Sequence, residues 1–155
     1  MSDLSDLYQE LILDHQKNPR NFGQIEGANH HAEGFNALCG DKISLDLKTD
    51  ASGLIEDIKF KGSGCAISKA SASMMTSALK GKKITEAETM FHQFHDLVTG
   101  KSEVPAGEDL GKLKAFAGVR DYPARVKCAS LAWHTLEAAL HDDQKVVSSD
   151  DDEGN

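Results

Sequence analysis

Several kinds of segment are missing from this 155-residue chain, and each absence removes a class of protein. No apolar run approaches the length of a membrane span. No long basic stretch or interleaved basic–aromatic pattern marks a nucleic-acid surface. There is no CxxC pair, and the three cysteines, an odd number, argue against a disulfide framework. The opening MSDLSDLYQE is acidic and amphipathic and resembles no secretory signal. The expectation is a cytoplasmic protein with no membrane or nucleic-acid partner, whose cysteines stay reduced. There is no internal repeat, and the length suits one domain with one core.

Charge is present but uneven. The net charge is −8. From Asp142 onward six acids stand against Lys145, so that stretch carries −5 and the body about −3. Residues 1–141 are therefore expected to fold as one domain, with 142–155 an acidic, disordered tail.

The apolar pattern of the body predicts an α+β fold. Leu4, Leu7, Tyr8, Leu11 and Ile12 recur at helical spacing over residues 3–17. Residues 30–36 are ambiguous, with strand the favoured reading. Ile43, Leu45 and Leu47 alternate with polar residues, as do Ile58 and Phe60, and the short TDASG connection makes an antiparallel hairpin. A helix opens at Cys65 and ends near Gly81. A second follows a TEAE capping box at Thr85–Glu88, and a short one spans Leu110 to Phe116. The last runs from about Pro123 to His141. Strands before helices predict a small antiparallel sheet with helices packed on one face.

Each cysteine stands near an element end. Cys39 follows Leu38 in a loop, before Gly40 and Asp41; Cys65 begins a helix; Cys128 lies in the early turns of the last one. Oriented N–H groups at a helix start stabilise a thiolate, the form that binds metal and attacks sulfur. Arg125, one turn before Cys128, is a candidate source of positive charge for the same place. Three thiolates and the Asp41 carboxylate would complete a tetrahedral zinc shell, and their softness favours zinc or iron–sulfur over magnesium or calcium. By spacing alone, buried packing cysteines remain an equal reading. Asp41 also reads as a turn residue capping its own backbone, and Arg125 as a surface ion pair. His92 and His95, one turn apart, read as a solvated helix face, and the other histidines form no constellation. No motif supports a Cys/His hydrolase.

Four segments in order, LYQELILDHQKNPRNFG, NALCGDKISL, IKFKGSGCAISKASASMM and RVKCASLAWHTL, resemble the U-type iron–sulfur cluster assembly proteins (the IscU/NifU N-terminal family). The resemblance is nearest to the SufU branch. The segment between Cys65 and Cys128 contains an inserted loop and helix that IscU-type scaffolds lack. Lys127 stands where those scaffolds carry a ligand histidine, which speaks against cluster holding. Ala37 replaces a usual proline. The resemblance implies a SufU/IscU-like fold with the metal site at one end of the sheet. It implies zinc held by Cys39, Asp41, Cys65 and Cys128, and a pyridoxal-phosphate cysteine desulfurase of the SufS type as sulfur donor. The implied function is a zinc-dependent sulfurtransferase that passes persulfide sulfur to downstream iron–sulfur assembly components. The alternative is a scaffold on which a [2Fe-2S] cluster is built. Cys39, in a loop and followed by a glycine, is the expected sulfur acceptor, with Arg125 offsetting charge on its freed thiolate.

Overall fold

The computed structural model describes residues 2–37, 40–100, 104–141 and 146–148. Helix α1 spans Ser2–Lys17, followed by strands β1 (His30–Asn36), β2 (Asp41–Thr49) and β3 (Ile55–Ser63). Helices α2 (Ala66–Leu79) and α3 (Ile84–Thr99) come next, then a 3-10 segment (Val104–Asp121), α4 (Pro123–Leu140) and a short strand β4 (Val146–Ser148).

The sheet order is β3-β2-β1-β4. β1, β2 and β3 are antiparallel neighbours, as the alternation predicts. β4 adds to the free edge of β1 in parallel, Glu33 opposite Val146. It falls in the stretch expected as tail, where nothing in the local sequence announces a strand.

Alternation decides which face is covered. Ala32, Ile43, Leu45, Leu47, Ile58 and Phe60 are buried against the helices, while Glu33, Lys42, Lys48 and Lys61 point out on the other face. α2 and α4 form the inner layer of helices. Trp133 on α4 stacks on Phe94 of α3 at 4.7 Å, and Phe94 meets Phe116 of the 3-10 segment edge-on at 5.7 Å. α4 comes so near β1 that a Cβ on Gly34 would lie 2.0 Å from Thr135 Oγ1. Only a residue without a side chain permits that approach.

Two expectations shift. The inserted segment holds its core contacts, with Leu110, Leu113 and Phe116 buried, but as 3-10 turns over Val104–Asp121 and not as a short helix from Leu110 to Phe116. α3 begins one residue before Thr85, and the carboxylate that caps it is Glu86, which accepts the backbone N–H of Lys83 at 2.9 Å.

Candidate metal centre

Cys65 is the N-cap of α2. Its backbone is extended (φ −75°, ψ 168°), so its side chain turns back over the first helical turn, where Sγ accepts the Ser68 N–H at 3.4 Å. A thiol replaces the usual Ser or Asp at this position. The helix start was legible in the sequence; the thiol's role as its cap was not.

Asp41 opens β2 and is fully buried. Its Oδ1 accepts the Cys65 backbone N–H at 2.7 Å, and its Oδ2 lies 3.6 Å from Cys65 Sγ. Gly64 makes this approach possible. Its φ is +153°, and a Cβ there would sit 2.2 Å from Asp41 Oδ1. A buried carboxylate carries a heavy desolvation cost unless hydrogen-bonded or metal-bound. Among the described residues only Cys65 bonds it, which leaves acceptor capacity for a metal.

Cys128, in the second turn of α4, is buried at 3% exposure. Asn36 at the end of β1 donates its Nδ2–H to Cys128 Sγ at 3.6 Å. The pattern of the sequence gave no sign of this asparagine's part. It is the register partner of Asp41 across β1 and β2. A strand-ending pair is therefore aimed at the site, one member toward each helical cysteine.

One oxygen of Asp41 and the sulfurs of Cys65 and Cys128 all lie within 4.8 Å of one another. Ligands around a tetrahedral zinc are separated by about 3.5–4 Å, so this trio needs only a small contraction to hold one. Cys39, the fourth expected ligand, lies with Leu38 outside the described residues. The residues that bracket it, Asn36 and Asp41, converge on the site, and the Gly40 N–H bonds the Asn36 carbonyl at 2.8 Å.

The Cys65 thiol is pulled down from its ordinary value to about 7. The largest cause is its hydrogen bond with Cys128; the Ser68 and Ile67 N–H groups at the helix start act in the same direction, against burial and the Asp41 charge. A thiolate at neutral pH is the form a soft metal needs.

Arg125 is placed differently from the cysteines. It is exposed, its guanidinium 4.9 Å above the Tyr122 ring, and it is not among the groups that shift Cys65. His92 and His95 gather with His134 around Phe91 at 5.2–6.2 Å and join no metal-like group among the described residues. A second convergence of ligand-type atoms does exist there: Glu88, Glu137 and His141. Its members are in contact, His141 Nε2 lying 3.2 Å from Glu88 and 3.5 Å from Glu137.

The sequence profile of the NifU-like N-terminal domain matches residues 7–146, and the chain belongs to this family. Within it, the chain is 46% identical over 139 residues to the zinc-dependent sulfurtransferase SufU of Bacillus subtilis, covering 90% of this chain and 92% of that protein. It is 44% identical over 140 residues to the iron-sulfur cluster assembly scaffold protein IscU of Streptococcus pyogenes, covering 90% and 86%. The crystal structure of a putative assembly scaffold for the SUF system from Fervidobacterium islandicum superposes with a TM-score of 0.78 at 40% identity, covering 84% of this chain and 94% of that one.

Proposed function

We propose that this chain is a zinc-dependent sulfurtransferase of iron–sulfur cluster biogenesis, taking sulfur from a SufS-type cysteine desulfurase in the cytoplasm. The observation that carries the proposal is the convergence of the Asp41 carboxylate with the Cys65 and Cys128 sulfurs within 4.8 Å. A hard–soft donor set of this kind suits zinc. Asp41, Cys65 and Cys128 would hold the ion, with Cys39 as the fourth ligand. Bound there, zinc would keep the thiols as thiolates and fix the sheet end to both helices.

The rest of the chemistry belongs to the chain. The Cys39 thiolate attacks the outer sulfur of the desulfurase persulfide. A new S–S bond forms on Cys39, the S–S bond on the desulfurase breaks, and the desulfurase cysteine departs as thiolate. Oxidation state is conserved, since one persulfide replaces another, so no added oxidant is required. The acceptor must be a thiol that can move without unfolding an element. Cys65 caps α2 and Cys128 is buried in α4. Cys39, which in the sequence lies between β1 and β2 and belongs to neither helix, is therefore the proposed acceptor. Arg125, exposed at the start of α4, is proposed to meet the incoming persulfide or the freed thiolate.

A second reading, a scaffold for a [2Fe-2S] cluster, is favoured by the 44% identity to an IscU. Against it stands Lys127, an ammonium with no lone pair to give, beside Cys128. Anaerobic purification followed by metal analysis separates the two. One zinc per chain, and stimulation of a cysteine desulfurase by the zinc-loaded protein, support transfer. A visible iron–sulfur absorption with cluster handed to an apo-ferredoxin supports the scaffold.

A further inference from the structure

A cavity of about 460 Å³ opens between α1, α2 and the 3-10 segment, away from the metal centre. Its volume lies within the range of small-molecule sites. Along α2, Met74 is nine residues past Cys65, about 14 Å at the helical rise. The walls are apolar where α2, α3 and the inserted segment meet: Met74, Met90, Leu110 and Leu113 line them. The charged groups at its edge, Lys82, Lys112 and Arg20, are all positive, and His15 and Ser77 stand beside them.

The three cations and His15 are not equivalent. Arg20 is already engaged, its guanidinium bonded to Asp14 at 2.7 Å and to the Asn18 carbonyl at 2.9 Å. Lys82 and Lys112 are exposed and have no ion pair among the described residues. His15 is 7% exposed, and its Nδ1 lies 2.7 Å from Ser73 Oγ. That hydroxyl accepts the Arg20 backbone N–H at 2.8 Å, and among the described residues His15 Nδ1 is the acceptor for its own proton. Burial, and the charges of Arg20 and Lys112, hold His15 below its usual value and therefore neutral at pH 7. The hydrogen-bond network thus assigns the ring proton to Nε2. Nε2–H has no protein partner among the described residues and opens onto the cavity, where an anionic ligand can accept it in place of solvent.

We propose that this cavity binds a small organic anion, its carboxylate or phosphate head between Lys82, Lys112 and His15 Nε2–H, its short apolar body among Met74, Met90, Leu110 and Leu113. Two uncommitted ammonium groups with one neutral N–H donor match an anionic head in charge and hydrogen bonding. The thioether and leucine walls match a flexible hydrocarbon of several carbons. Because the inserted segment supplies Leu110, Lys112 and Leu113, the site depends on that insertion.

The test is titration of the full-length, zinc-loaded protein followed by 1H–15N correlation spectra, with four probes: hexanoate, hexyl phosphate, inorganic phosphate and hexan-1-ol. Saturable shifts of the Ser77, Ala78, Gly111 and Leu113 amides are expected from hexanoate or hexyl phosphate, with a dissociation constant of about 1 mM or tighter. The stronger of the two identifies the head group. A Lys82→Ala/Lys112→Ala double variant, altered only at exposed positions, should weaken that binding by about tenfold or more. Three results would overturn the proposal: no saturable shift from either organic anion, equal binding by the double variant, or inorganic phosphate or hexan-1-ol matching the organic anions.

Discussion

Among the described residues, two places bring three ligand-type side chains within 4.8 Å of one another, and they differ in almost every other respect. At Asp41, Cys65 and Cys128 the donors are two thiols and a fully buried carboxylate, each at a strand start, a helix cap or a packed helix turn. At Glu88, Glu137 and His141 the donors are two carboxylates and an imidazole on α3 and the end of α4, with His141 59% exposed. In the second group the half-exposed imidazole lies close to both carboxylates at the surface, where solvent screens such contacts. In the first, among the described residues the carboxylate accepts the Cys65 N–H, with the Cys65 sulfur at 3.6 Å, and that thiol is pulled down to about 7. Proximity is shared by both groups; burial and soft donors distinguish the proposed metal centre from a surface charge cluster.

The comparison breaks most sharply at the sulfurs. Cys65→Ala and Cys128→Ala should each abolish zinc retention against a chelator and lower unfolding stability of the purified protein by several kcal/mol, since metal binding here is also folding energy. Thermal unfolding with and without chelator reads both effects, and a Cys65→Ala protein that keeps stoichiometric zinc would equate the two clusters. The next effect in size belongs to Asp41→Asn. The amide can still accept the Cys65 N–H, so the fold should persist. Zinc affinity should nevertheless fall by more than the roughly 10–100-fold typical of losing an outer-shell partner, measured by competition with a chromogenic chelator. Glu137→Gln tests the other cluster. It should leave zinc content unchanged and move stability by no more than about 0.5 kcal/mol, as exposed ion pairs do.

The smallest expected effect is a pH response on the outer face of the sheet. His31 Nδ1 lies 2.6 Å from Asp46, and Glu33 lies 3.6 Å from its other nitrogen, so its value is raised, chiefly by the Asp46 hydrogen bond. A raised folded-state value means the stabilisation is complete below the ordinary histidine range and is lost as pH climbs through the raised value. In β3, Lys59 is the register partner of Asp46. Between pH 6 and pH 8 the unfolding midpoint should fall slightly further for the unmodified protein than for His31→Gln; equal falls would remove His31 from the account.

Much of the site was written locally and some of it was not. Leu45 against Phe60 and Leu47 against Ile58 are register partners, which alternation and a short turn suffice to foresee. Cys65 at a helix start was visible from the apolar spacing behind it. Asn36 reaching Cys128 joins residues 92 apart, and His15 reaching Ser73 joins residues 58 apart; no local pattern encodes either. β4 needs the free edge of β1, a product of the assembled sheet, before it has anything to pair with. Arg125 shows how a sequence position one turn from a cysteine still leaves direction open: from the exposed start of α4 its long side chain reaches the Tyr122 face.

Which thiol receives the sulfur is the central claim, and mass spectrometry of the zinc-loaded protein after incubation with a cysteine desulfurase and cysteine tests it most directly. The account predicts a persulfide adduct of one added sulfur on the Cys39 peptide, and none on any peptide of a Cys39→Ala variant that keeps part of its zinc affinity. An adduct mapped mainly to Cys128, or formed at full rate in Cys39→Ala, would contradict it.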